Sequence, residues 1–342
     1  MSARLSQLRW GGAQAGITLT LASSGWLLSG LTPSPLINSL LPALTTLPAL
    51  LPLRRRLAGY TLELFSALLL VLLYGAAMAG NPTDKPISIA IILVAALIMA
   101  LGQDLSQLPL QRRLISPTGL RFSQLRHGSE LGALLGSLLT GLLKPGLHQF
   151  LPAFVLLLPL LPTAYVRGEP NQSDGAIPPL DVRAAIQGAL FGSFFALLPL
   201  WVRSIAAGNC FNFGMVLAAY GIGRSLSQRL PKLPAALPYW LIAALLLISH
   251  WLPGWVATAL FIPLGALAAA SDSVQVQRMS SDDPAAGWQI LLRSGAIGGL
   301  IGILVMGSFA QMTGLSFALP LQLLFFLLAP VLIRQTRSQP EG

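Results

Sequence analysis

Apolar runs of about 18 to 20 residues follow one another along nearly the whole chain, with only brief breaks between them. A helix of that length spans the hydrocarbon core of a bilayer. Strands of a membrane barrel would instead alternate apolar and polar residues. Runs such as ALLLVLLYGAAMAG at 67–80 and LIAALLLI at 241–248 do not alternate, so they predict helices. Only 9% of residues are charged against 54% hydrophobic, where soluble domains carry about 25% charged residues. The pattern therefore excludes a soluble fold and predicts an all-α polytopic membrane protein.

Spans are expected at 11–31, 35–53, 58–80, 86–103, 125–143 and 146–164, then at 185–203, 210–226, 236–252, 254–271, 287–308 and 316–333. Arg4 and Arg9 precede the first apolar run as they would in a signal peptide, but so many further runs follow that it reads as the first span. Several breaks are very short and built from proline and glycine, such as TPSP at 32–35 and KPG at 144–146. The longest polar stretch near the middle, YVRGEPNQSDGAIPPLDVR at 165–183, reads as a linker. The division is thus 1–164 for an N-terminal six-helix half, 165–184 for a cytoplasmic linker and 185–342 for a C-terminal six-helix half. Twelve transmembrane helices place both termini on one side. If that side is cytoplasmic, only Lys85, Lys144 and Arg203 of the 21 Lys and Arg residues fall outside, as the positive-inside rule demands. The formal net charge of +10 therefore reflects orientation in the membrane, and no nucleic-acid partner is expected.

The two halves carry matching residues. Asp104 ends the fourth span and Asp272 the tenth; Arg126 opens the fifth and Arg293 the eleventh; Arg54 and Arg224 follow the second and eighth. Gln111-Arg112 and Gln277-Arg278 occupy matching loops. Duplicated halves are a secondary-transporter signature. Arginines alone could recur because cytoplasmic loops attract them, but the rule does not recruit aspartates.

These features resemble the major facilitator superfamily, and most nearly its enterobactin-exporter-like branch. The stretches that carry the resemblance are TPSPLINSLLPALTTLPALLPLRRR, QRRLISPTGLRFSQLRHGSELGALLGSLLTG and VQVQRMSSDDPAAGWQILLRSGAIGGLIG. In the family's loop motif after span two, Arg55 and Arg56 match the closing basic pair, whereas Leu47 and Leu51 stand where glycine and aspartate are expected. On span five Gly132 and Gly136 remain of the antiporter motif, without its proline. The resemblance implies a pseudo-symmetric major facilitator fold and a cavity lined by spans one, four, seven and ten. It also implies that spans five and eleven pack across the halves.

Individual residues sharpen this. Asp104 and Asp272 sit at helix C-termini, where the dipole is unfavourable to anions, so basic partners are expected. The candidates are Arg54, Arg55, Arg56 or Arg126 for Asp104, and Arg224, Arg229 or Arg293 for Asp272; these would be gating charges. Glu63 and Glu130 lie inside spans and are candidate proton sites. Glu130 equally suits an i, i+4 pair with Arg126, and Glu63 suits snorkelling to headgroups. Pairs such as Gly295/Gly299 and Gly298/Gly302 predict close helix packing. Gln14 and Thr18 on span one, with Gln187 and Ser193 on span seven, are the candidate cavity residues. No cavity span carries a central charge, which suits a hydrophobic or amphipathic substrate. Spans six, nine and twelve read as lipid-facing supports without a polar side.

The reading is a secondary transporter, an exporter working as a monomer in the inner membrane, with the lipid bilayer and a small-molecule substrate as its partners. The alternative is a non-transporting facilitator-fold protein that assists assembly of membrane or pigment-protein complexes. One cysteine and three scattered histidines offer no metal set, no cofactor is implied, and no nucleophile–base pair marks an enzyme.

Overall fold

The structure is a computed structural model that describes residues 3–50, 59–78, 84–115, 122–142, 178–204, 206–227, 233–252, 254–279 and 284–335. Every regular element among them is helical: α1 (Ala3–Leu31), α2 (Pro35–Thr46, continued by a 3-10 turn Leu47–Leu50), α3 (Gly59–Met78), α4 (Lys85–Ile115) and α5 (Phe122–Leu142). After the central stretch come α6 (Val182–Ala196), α7 (Leu198–Ser204), α8 (Cys210–Leu226), α9 (Leu237–Trp251), α10 (Gly254–Ala259), α11 (Phe261–Met279), α12 (Pro284–Thr313) and α13 (Leu315–Gln335). The expected span at 146–164 lies outside the described residues.

Among the described residues, five stretches are long and apolar enough to cross a membrane: Lys85–Ser106, Val182–Ser204, Gly254–Met279, Ala286–Thr313 and Leu315–Ile333. Shorter apolar helices cover Pro35–Leu50, Gly59–Leu73 and Leu237–Trp251. The chain is a multi-pass membrane protein. Two of the long stretches are broken by proline. Pro199 and Pro263 lack the N–H that would bond the carbonyl four residues earlier, so the ladder lapses at Leu197 and Leu260. Helix starts are capped where the sequence supplies an oxygen. Ser34 Oγ accepts from the Ile37 N–H at 3.3 Å, and Asp181 Oδ1 from the Ala184 N–H at 2.8 Å. Gly314, at φ +99°, turns the chain between α12 and α13, a conformation that side chains resist.

The chain divides into two compact units. Unit one comprises Met1–Pro33, Leu51–Ala176 and Gly208–Ala218; unit two comprises Ser34–Leu50, Ile177–Ala207 and Ala219–Gly342.

Unit one is built on backbone contacts between α1 and α5. A Cβ on Gly132 would collide with the Gly11 carbonyl oxygen, and one on Gly136 with that of Ala15. The first residues of α8 pack on the far end of α5. A Cβ on Gly214 would fall 2.5 Å from the Gly141 Cα, and Trp26 stacks on Phe213 at 5.6 Å.

Unit two repeats the device between α6 and α12. Gly188 meets Gly295, Gly298 meets Ala185, and Gly302 meets Ala189, each too close for a side chain. Gly307 admits Ser39 of α2 in the same way. Apolar side chains fill the space beyond, with Tyr239, Ile242, Leu246, Leu264 and Phe326 at the centre.

The glycine pairs are therefore packing devices, as their spacing predicted. They close α1 on α5 and α6 on α12, because the glycine faces are matched by small residues on those neighbours.

Candidate functional site

The chemistry of unit two is concentrated near the start of α6. Asp272, on α11, takes Arg224 of α8 on one carboxylate oxygen at 2.9 Å. Its other oxygen accepts from Gln187 Nε2 at 2.6 Å. The same amide nitrogen reaches Ser271 Oγ at 3.1 Å, and the Tyr239 hydroxyl donates to Gln187 Oε1 at 3.0 Å. Four helices, α6, α8, α9 and α11, thus converge on one carboxylate. Gln187, Tyr239 and Ser271 are almost fully buried, while the Arg224 and Asp272 side chains keep 24% and 14% of their surface open. Arg224 also lies 5.8 Å from the Tyr220 ring, and Tyr220 touches Phe195 edge to face at 4.7 Å.

The reason for convergence is electrostatic. The helix runs on to Met279, so Asp272 sits about two turns inside α11 and not at its C-terminus as the sequence suggested; a largely buried carboxylate needs donors wherever it stands on a helix. Arg224 and Gln187 supply them, and Tyr239 holds the Gln187 amide with its nitrogen toward Asp272. Of the partners expected for Asp272, Arg224 takes the pair. Arg293, by contrast, donates to the Pro178 carbonyl oxygen, while the Ser294 hydroxyl accepts from the Asp181 N–H at 2.9 Å. Arg293 is thus engaged by the end of the linker, which arrives beside α12.

In unit one the matching residues are arranged differently. Arg126 Nε pairs with Glu130 Oε1 one turn along α5, at 3.1 Å. Asp104 is half-buried on α4 and has no ion-pair partner among the described residues. Arg54, Arg55 and Arg56 lie outside those residues.

Glu63 does not snorkel: it is fully buried between α3 and α4. Gly102 leaves the notch that admits it, since a Cβ there would fall 2.7 Å from Glu63 Cγ. Ser106 Oγ donates to Glu63 Oε1 at 2.6 Å. The second oxygens of Glu63 and Glu130 are buried without a hydrogen-bond partner among the described residues, as is Nε2 of Gln103.

Of the cavity candidates, Gln14 and Thr18 face α5, where Gly132 and Gly136 make room for their Cβ atoms. Gln187 serves the Asp272 network. Ser193 is buried one helix face along, against Gln322 of α13 at 2.9 Å. Sequence reasoning missed Tyr239, Gln275 and Gln322, all buried. Gln322 sits in a run otherwise so apolar that α13 reads as a lipid support. Its pairing with Ser193 depends on a register between helices that no local pattern encodes.

The same arrangement of helices is found in solved transporters. The nucleoside transporter NupG matches with a TM-score of 0.61 over 100% of this chain and 100% of its own, at 16% identity. The chain has the major facilitator fold. A mutant of NupG matches at 0.59 with 14% identity, over 98% of this chain and 99% of its own. The human organic anion transporter MFSD10 (TETRAN) matches at 0.53 with 15% identity, over 96% and 99%. At the level of sequence, no family model and no curated protein matches.

Proposed function

We propose that this protein is a secondary active transporter with twelve transmembrane helices in two six-helix halves, 1–164 and 185–342, joined by a cytoplasmic linker at 165–184. Its likeness in fold to transporters along the entire chain carries this reading. The halves would rock to give alternating access to a site at the bilayer midplane. Both termini lie in the cytoplasm of a cell whose inner membrane holds the protein, in keeping with the loop arginines. The substrate is a hydrophobic or amphipathic small molecule moved outward, as the mild cavity spans and the enterobactin-exporter-like stretches support. Nucleosides and organic anions, the substrates named for the structural neighbours, form the comparison set.

The test is accumulation in vesicles across a panel of hydrophobic dyes, a nucleoside and an organic anion, with and without an imposed pH gradient. Gradient-dependent movement of a dye, with neither comparison substrate moving, is the expected outcome. Movement of the nucleoside alone would overturn the substrate class. Movement of nothing in the panel would turn the reading toward the non-transporting alternative.

A further inference from the structure

Unit two contains a cleft away from the Asp272 network. Its walls include Ser193 and Phe194 of α6, Trp201 of α7, Ser249 of α9, Phe261 of α11 and Gln322 of α13. All of its lining residues belong to unit two. Its empty space is about 500 Å³ with the open mouth included, and about 50 Å³ counting only where the centre of a water-sized sphere fits. The larger figure counts open solvent at the mouth, so the enclosed space falls well short of the about 300 to 1,000 Å³ of drug-sized sites. The smaller figure restricts the ligand to something slender.

Among the described residues the lining is apolar apart from Ser193, Ser249 and Gln322, and no charged side chain takes part. Phe194 and Phe261 stack at 6.1 Å with their planes 25° apart, leaving flat aromatic faces in the wall. Ser249 Oγ is committed to the Leu246 carbonyl at 2.8 Å. Ser193 Oγ lies 2.9 Å from both the Leu190 carbonyl and Gln322 Oε1, so its single proton serves those two. Gln322 Nε2 donates to the Leu190 carbonyl at 2.8 Å. An amide nitrogen carries two protons, so a second N–H remains on a side chain that lines the cleft and is 3% exposed. A polar amide in the middle of a membrane helix is costly unless it has work to do. Interiors also seldom keep voids much larger than a water molecule.

We propose that this cleft binds an uncharged amphiphile of about one aromatic ring, with the ring among Phe194, Phe261 and Trp201 and a hydroxyl on Gln322 and Ser193. Because every described lining residue belongs to one unit, the ligand moves with that unit and is not handed between halves. The site is therefore a modulator site, distinct from a substrate path, and the proposal does not depend on what the protein transports.

The test uses the full chain in lipid nanodiscs and an alkylphenol bearing a photoreactive diazirine. Saturable labelling mapped to α6, α7, α11 or α13, and competed by unlabelled alkylphenol, is expected. Ala318→Trp fills the cleft and should reduce saturable labelling about tenfold or more, a loss of about 1.4 kcal/mol. Should that variant not fold, Leu319→Trp at the half-buried mouth applies the same block. Gln322→Met should weaken competition by the phenol about three- to tenfold, the range for one hydrogen bond, while leaving an alkylbenzene that lacks the hydroxyl unchanged. Labelling that does not saturate, maps elsewhere, or survives both tryptophan variants would overturn the site. Equal losses for phenol and alkylbenzene in Gln322→Met would overturn the polar anchor.

Discussion

Both oxygens of Asp272 are engaged, one by Arg224 and the other by Gln187. Removing one partner of such a pair leaves the other charge poorly solvated. Arg224→Ala is expected to lower stability by roughly 2 kcal/mol, below the value for a fully buried pair because both side chains retain some exposure. A thermal melt in detergent checks this. Asp272→Arg combined with Arg224→Asp should recover part of the loss, whereas Asp272→Arg with Arg293→Asp should not, because Arg293 serves the linker carbonyl. Tyr239→Phe removes the donor that orients Gln187 and should cost less, about 1 kcal/mol. For Glu63 and Glu130 the expected outcome concerns coupling. If either takes up the coupled proton, its change to Gln flattens the pH dependence of transport while the protein still folds. A profile that keeps its wild-type shape in both variants would leave them as packing and pairing residues.

At the scale of elements, the helices are fastened by glycine contacts whose cost of disruption can be read position by position. Gly298→Ala forces a methyl group into the Ala185 carbonyl, backbone against backbone, so the helices must separate. Overpacking of this kind costs about 1 to 3 kcal/mol. Gly75→Ala, on α3, meets nothing within 4 Å and should be neutral, or stabilising by up to about 1 kcal/mol because alanine favours the helix. The two variants compared by melting temperature and by yield of folded protein separate contact from propensity. Equal behaviour would mean that α6 and α12 do not meet at this point.

At the scale of the whole molecule, orientation and duplication can be tested together. Cysteines replacing Lys85 or Lys144, in a background with Cys210 removed, are expected to react with an impermeant thiol reagent on intact cells. Cysteines replacing Arg112 or Arg229 are expected to stay unreactive until the membrane is opened, and the reverse result would invert the topology. The duplication makes a further claim. Arg224 holds Asp272, and Arg54 is the residue that corresponds to Arg224 in the first half. Asp104→Arg should therefore be rescued by Arg54→Asp in a stability or transport assay, and not by Arg126→Asp, since Arg126 is held by Glu130.

Much of the molecule was legible before any coordinate. Apolar runs of membrane length, proline and glycine breaks and basic loops locate the helices, because a bilayer imposes those requirements on each segment separately. The charge of Asp272 announced a basic partner for the same local reason. The sequence could not choose among Arg224, Arg229 and Arg293, which stand within reach only once helices are packed. Nor could it show that Glu63 is enclosed in the notch at Gly102, or that Gln187 leaves the cavity list to brace a carboxylate. Gln322 went unnoticed in its apolar run until Ser193 stood opposite it. Each of these depends on the rotation and register of one helix against another. Lipid and protein interior are both apolar, so hydropathy cannot tell which side of a membrane helix faces inward; backbone contacts at a few glycines and the partners of a few buried polar groups decide it.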